Sequence, residues 1–391
     1  MIGFRRLLSG ERGMILLTCL LLLSLLLAVG LGSMVSVQNE FFITQNLRGG
    51  ISALYLADAG IEWGKEQIGA MPGNPPVLVD SMQNFSSGAF SVAFISATQM
   101  SPLSARIVFR STGTIKNSSQ TVQAQVSKNY DLADAAVGLR GKSRSINFAV
   151  SSFHISGLDY DPSRGSAVPG AKPRAGITAD SAALLSQLES GLNGGQRVQI
   201  VGSGNNGAAI SLSEQIPGNA LVRFANDLCT APNAQISAVP ATGTLSLVNQ
   251  TWGSRAAPEL HCINGLVESG DSVTTGANFN GAGILVLKDV QLIASGSLHW
   301  EGLILVTGND IGFRTAGEEN KELVGALIVN ETGAAAGAGT ALLDIQGAIR
   351  IRYSRPALGA SASLIRSGTL ANNYDWLPFY LKQDYWRSLN P

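Results

Sequence analysis

The stretch MILLTCLLLLSLLLAVGLGSMVSV, Met14 to Val37, decides how the rest of the chain is read. It holds 24 residues, and no charged residue occurs from Gly13 through Asn39. At about 1.5 Å per residue, a helix of this length reaches about 36 Å. That is enough to cross a hydrocarbon core of roughly 30 Å. Leu20 to Leu23 and Leu25 to Leu27 are among the residues that insert most favourably into a bilayer. Arg5, Arg6 and Arg12 precede the stretch with Glu11 as the only acid, and the next charge is Glu40. The basic flank belongs on the cytoplasmic side, which puts everything after about residue 38 outside.

Two simpler interpretations use the same residues. A secretory signal peptide has an apolar region of about 7–15 residues and a small-residue cleavage site. The present stretch is longer, and Ala28-Val29-Gly30 is a weak site. A plain uncut signal anchor also fits and stays open at this point.

The averages over the whole chain exclude several classes. Lys plus Arg is 27 and Asp plus Glu is 27, so net charge is zero. A nucleic-acid binder would carry a basic stripe. A disordered chain would combine low hydrophobicity with high net charge, whereas 45% of this one is hydrophobic. At 391 residues it could hold two to three domains of about 150 residues each. His154, His261 and His299 are isolated, without metal-ligand spacing, so neither a metal nor a cofactor is expected. No G-x-S-x-G elbow is present, no catalytic residue is assigned, and the chain reads as a non-enzyme. Asp159-Tyr160-Asp161-Pro162 offers hard oxygen ligands that suit calcium. It lacks the spacing of an EF-hand and reads as a solvated turn.

Downstream of the apolar stretch, Ile51, Leu54 and Tyr55 recur at helical spacing. Gly49-Gly50 is expected to kink or unwind the helix between its membrane and external halves. Met71-Pro72-Gly73-Asn74-Pro75-Pro76 ends it. Ala89–Ile95, Ala105–Phe109 and Thr121–Val126 alternate with period two and predict a small antiparallel sheet packed on the outer helix. From Asp131 onward short apolar segments are separated by Gly, Ser, Thr and Asn. Two short helices interrupt them, one at 182–192 capped by Asp180 and one at 219–228. GILVL at Gly283, GLILV at Gly302, GALIV at Gly325 and GAIRI at Gly347 repeat at similar intervals. That repeat predicts a parallel β-helix, a solenoid in which each turn covers the apolar face of the one before. Val290–Ala294 and Ser297–Trp300 would form its other faces, and 145–150, 152–156 and 197–201 further, degenerate turns. The structural alternative is an antiparallel β-sandwich or jelly roll.

The resulting division is a leader at 1–13, a transmembrane and outer helix at 14–70 and a small antiparallel sheet at 71–130. A β-helix-like head follows at 131–372, then a C-terminal segment at 373–391. That last segment holds Tyr374, Trp376, Phe379, Tyr380, Tyr385 and Trp386. It is expected to cap the solenoid end, where strand edges and core are otherwise open. An aromatic contact surface for a partner or glycan is the other interpretation. Cys19 lies in the apolar stretch as a small filler. Cys229 and Cys262 lie outside, where oxidising conditions allow a disulfide.

The flanks of the apolar stretch carry a family resemblance. Glu11-Arg12-Gly13 directly before Met14-Ile15-Leu16-Leu17 resembles the class III leader of type IV pilins and pseudopilins. In that family a prepilin peptidase cuts after the glycine, and the apolar helix stays on the mature protein. The resemblance therefore places processing between Gly13 and Met14. Thr18 stands at the fifth mature position, where major pilins carry glutamate, so it points to a minor subunit or assembly factor. Asn46-Leu47-Arg48 and Ala53-Leu54-Tyr55-Leu56-Ala57-Asp58-Ala59-Gly60-Ile61-Glu62 resemble the A-x-x-x-A-E-A-G-[IL]-E stretch of PilX-type assembly proteins. Asp58 replaces the usual glutamate.

The resemblance covers about residues 11–68 of the sequence. It implies a single-pass inner-membrane protein with its N-terminus in the cytoplasm and its head in the periplasm or outside, able to enter a pilus. Other pilins or pseudopilins would pack on Leu16, Leu17, Leu20, Leu23 and Leu27, and the prepilin peptidase would be a second partner. A membrane-anchored β-helix scaffold is one alternative. A polysaccharide-active enzyme is another, although Lys288, Asp289, Glu301, Asp310 and Arg314 show no convincing pair at matching turns.

Overall fold

Helix α1 runs without interruption from Glu11 to Ala70, 60 residues. The computed structural model describes residues 11–71, 73–142, 144–150, 152–204, 208–213, 215–266, 270–333, 341–365 and 377–389. The helix does not unwind at Gly49-Gly50. The helix simply changes environment there, from exposed on all sides to lying on a sheet.

That sheet is antiparallel, with strand order 81–85, 88–101, 104–115, 118–130 and 379–388. One face buries Phe90, Val92, Ile107, Phe109, Val122 and Val126 against Ala57, Ile61 and Ile68 of α1. The fit is close enough to bring backbones together. A Cβ on Gly113 would lie 2.1 Å from the carbonyl oxygen of Ala53, a main-chain atom with no freedom to move aside. Buried Lys128 closes the arrangement at the other end. Its ammonium donates to Ile68 O (2.9 Å) and to Met71 O, carbonyls at the C-terminus of α1 that have no helical partner. A cation there also opposes the helix dipole.

The fifth strand corrects the expected end cap. Phe379–Ser388 pairs antiparallel with Ser118–Tyr130 and so completes the small sheet, far along the chain from its neighbours. Its alternation explains why: Phe379, Leu381 and Trp386 fall on the helix side, opposite Tyr130, Lys128 and Ala124. Tyr374 and Trp376 lie outside the described residues.

Beyond residue 131 the main sheets are parallel. One has the strand order 200–201, 153–156, 349–353, 321–331, 298–308, 279–288, 259–264 and 234–238. The other has the order 244–247, 272–275, 291–294, 313–315, 343–345 and 146–148. From residue 234 onward the chain mostly alternates between them, and every pair along both orders is parallel. The antiparallel sandwich is therefore excluded for this part. Strand 135–141 also joins, pairing with the second half of 321–331.

Gly283, Gly302 and Gly325 stack in register in the middle of long strands, with φ of 133°, 130° and 144°. A Cβ on Gly302 would lie 2.1 Å from Gly283 O. Only glycine takes this backbone conformation readily, so the stacked bend explains three of the four repeats. The fourth is offset. Tyr353, not Gly347, pairs with Gly325, and Gly347 precedes the strand. Ser297–Trp300 also differs from expectation, since Leu298–Gly308 is one continuous strand across the bend.

Helices α2 (Ala182–Ser190), α3 (Gly194–Arg197), α4 (Gly218–Cys229) and α5 (Arg355–Ser361) flank these sheets. Ser181 caps α2, while Asp180 accepts from the Gly141 amide (2.6 Å) instead. Leu221, Phe224, Ala225 and Leu228 bury one face of α4. A Cys229–Cys262 disulfide ties its end to strand 259–264.

Gly113→Val and Gly302→Val should each destabilise the chain by about 1–3 kcal/mol, the usual cost of overpacking. Thermal melts of detergent-solubilised protein check this. Gly194→Ala, where a Cβ meets nothing within 4 Å, is the control expected to change little. Non-reducing mass mapping should recover the 229–262 peptide pair, and two free thiols there would contradict the bond.

Candidate functional site: an exposed apolar helix

Every residue of α1 from Met14 to Arg48 is exposed. Leu16, Leu17, Leu20, Leu23 and Leu27 range from 52% to 67% exposed, values set by Leu17 and Leu20. Leu16, Leu20, Leu23 and Leu27 share one stripe by their spacing, with Leu17 beside it. The helix is long and apolar enough to cross a membrane by length and composition, with its apolar window wholly unburied.

Three hydroxyl side chains in this stretch bond back to their own helix. Thr18 Oγ1 donates to Met14 O (2.6 Å), Ser24 Oγ to Leu21 O (2.8 Å) and Ser33 Oγ to Gly30 O (2.8 Å). Together with the helical backbone pairing, these bonds keep the Thr18, Ser24 and Ser33 hydroxyl protons and the helix's peptide groups paired within the segment. A lipid environment demands this. At Thr18, where a glutamate would offer a charge to a neighbour, a hydroxyl is spent on its own helix. Gly13 and Met14 lie near the start of α1, and residues 1–10 of the expected leader are outside the described residues.

No protein-family description matches the chain, and no curated protein matches it. Among solved structures, the crystal structure of the competence-associated pilin ComZ from Thermus thermophilus is similar over 87% of this chain and 97% of that chain. Identity is 14% and the TM-score 0.22. A superposition at that score carries no weight for either fold or function.

The other candidates are engaged in structure. Among the described residues no group of three or more His, Cys, Asp or Glu could hold a metal. Asp159 receives Arg355 (3.1 Å), and Asp131 receives both Arg174 and Arg355. These pairs, buried on the carboxylate side and half-buried on the arginine side, join the end of the small sheet to the N-terminus of α5. Asp161 accepts from the Ser163 amide (2.9 Å) and pairs with Arg164 (3.2 Å), which makes this loop a tied turn. Asp310 pairs with Arg144 (2.7 Å), and Arg314 with Asp344 (3.5 Å).

One cluster on the parallel sheet escaped the sequence reading. His299 Nε2 lies 3.3 Å from Glu301 and Nδ1 lies 3.5 Å from Glu322. Glu301 also takes two bonds from Arg255 (2.7 and 2.6 Å), and Glu322 one contact from Arg352 (3.2 Å). Arg255 reaches on to Ser163, and Arg352 lies over the Tyr160 ring. The network thus straps the 160–167 hairpin to the sheet. The signal for it was present in the repeat: setting Gly302 opposite Gly325 puts His299 opposite Glu322.

Hydrogen bonds to Glu301 and Glu322 raise the His299 pKa from 6.5 to about 9. The same contact with His299, followed by Arg255, lowers Glu301 from 4.5 to about 2. Between pH 6.5 and about 9 the folded chain holds a proton that the unfolded chain releases. The histidine's contribution is full below 6.5 and is lost as pH rises through about 9. That of Glu301 is full above 4.5 and is lost as pH falls towards about 2. Melts at pH 6, 7.5 and 9 on the natural chain and His299→Gln should show a steeper fall with pH in the natural chain. Parallel curves would remove the assignment.

Proposed function

We propose that this chain is a minor-pilin-like assembly protein that takes part in building, or is displayed on, a type IV pilus or related filament. The observation that carries this is α1. One unbroken helix offers an apolar half exposed on all sides and a second half locked onto an antiparallel sheet. The apolar half suits first a bilayer and then a bundle of similar helices, with Leu16, Leu17, Leu20, Leu23 and Leu27 as the packing stripe. Residues 1–13 are the leader, and Gly13 and Met14 the processing site for a prepilin peptidase. The Arg5, Arg6 and Arg12 flank supports a cytoplasmic N-terminus and a periplasmic or extracellular head.

Thr18 supports a minor place in the filament, because a hydroxyl bonded to its own helix offers no charge to a neighbouring subunit. The two parallel sheets and their glycine-marked bends support a β-helix-like coil as the body of the head. The role is one of packing and display, without a chemical step after leader removal.

Expression with and without prepilin peptidase, followed by N-terminal sequencing, tests the proposal. A mature chain starting at Met14 is expected, and Gly13→Val should block the cut. A retained Met1 in the presence of peptidase, or a cut near Gly30, would reject it.

A further inference from the structure

The small sheet and the outer half of α1 form a two-layer slab whose opposite faces carry opposite charge. On the helix side, the exposed stripe bears Asp58, Glu62 and Glu66, with Lys65 paired to Glu62 (2.6 Å). On the sheet side, the face turned away from α1 bears two basic rows. Arg110, Gln123 and Arg387 are in register across three strands, and so are Arg106, Ser127 and Lys382. All four cations are exposed. Asp384, the acid beside them, accepts from Ser127 (2.6 Å) and Gln125 (3.1 Å).

The acids and the basic rows stand at the same heights. Trp386 Nε1 donates to Asp58 (3.2 Å), which fixes Asp58 beside the register line 109–124–386. That line is one residue from the Arg110 row. Lys128 donates to Ile68 O, which fixes Ile68 beside the line 105–128–381, one residue from the Arg106 row. Glu66 is about half a turn before Ile68. From Asp58 to Glu66 the helix rises about 12 Å. From Arg110 to Arg106 the strand runs about 13 Å.

We infer that the slab packs front to back on a second copy of this chain, with the acidic helix stripe of one against the basic sheet face of the next. A two-fold pairing would set acid on acid or base on base. Front-to-back packing pairs opposite charges and keeps both α1 helices parallel. Because the charges match in height, the two apolar segments sit at equal depth in one membrane. The inference rests on the membrane-spanning part of the proposed function, though not on leader cleavage.

The test uses full-length chains with Cys19→Ser, co-expressed with different tags. One carries Ala59→Cys on the helix stripe, the other Val108→Cys between the two basic rows. With a short bis-maleimide in intact membranes, a mixed 59–108 adduct is expected, and little from either chain alone. Adding Glu66→Arg to the first chain should drop the adduct at least fivefold. Adding Arg106→Glu to the second should restore it. Flotation with membranes confirms anchoring separately, and N-terminal sequencing reports on the leader separately. A floating chain that gives no mixed adduct, a 59–59 adduct of equal yield, capture of a different protein in place of the second copy, or loss without rescue would each overturn the inference.

Discussion

The contact between α1 and the small sheet governs the rest of the molecule, because glycines on both layers let its apolar side chains close tightly. Gly113 lets the strand lie against the carbonyl of Ala53, and the glycines at 60 and 64 lie under Ser111 and Phe109. Such closeness allows one register only. Lys128 then pins the far end by taking the terminal carbonyls of the helix. The direction in which the bare apolar half projects is set by these few atoms, and so is the attachment of the head through residues 130 and 131.

Charge is used sparingly and locally. Buried ions occur where two parts of the chain must be joined. Asp134 and Arg140 sit in the core where the parallel sheet begins. Asp131, Asp159, Arg174 and Arg355 join the small sheet to α5. Breaking one partner of such a pair leaves the other charge stranded at high cost. The zero net charge of the sequence therefore conceals a deliberate arrangement of opposite signs, inside the head and across the faces of the slab.

Much of this was legible in the sequence, and the failures have physical causes. The apolar stretch announced itself by the absence of charge from Gly13 to Asn39, and the central strands of the small sheet by period-two alternation. Gly49-Gly50 does not unwind the helix, because glycine in a helix also serves where a neighbour needs the space. Here a sheet lies close by, and a Cβ on Gly49 would meet Ser118 Oγ at 2.5 Å. The aromatic tail misled because composition says that a segment must be covered, without saying by what. Strand pairing between residues 118–130 and 379–388 is a tertiary choice with no local signature. GAIRI matched the repeat by letter and missed it by register, since Tyr353 takes the place opposite Gly325. The His299 network needed that register before it could be seen at all.

The order of strands has a consequence for how the head comes into being. Strands 135–141, 146–148 and 153–156 are finished by partners at 321–331, 343–345 and 349–353. The small sheet likewise waits for 379–388. A chain emerging amino end first must therefore hold these earlier strands open along one edge until residues 321–388 have emerged. Long-range closures of this kind are slow and leave sticky intermediates. The fold is thus a drawstring pulled tight by one late segment: loss of residues 379–388 would strip an edge from the sheet that positions the apolar helix, hundreds of residues upstream.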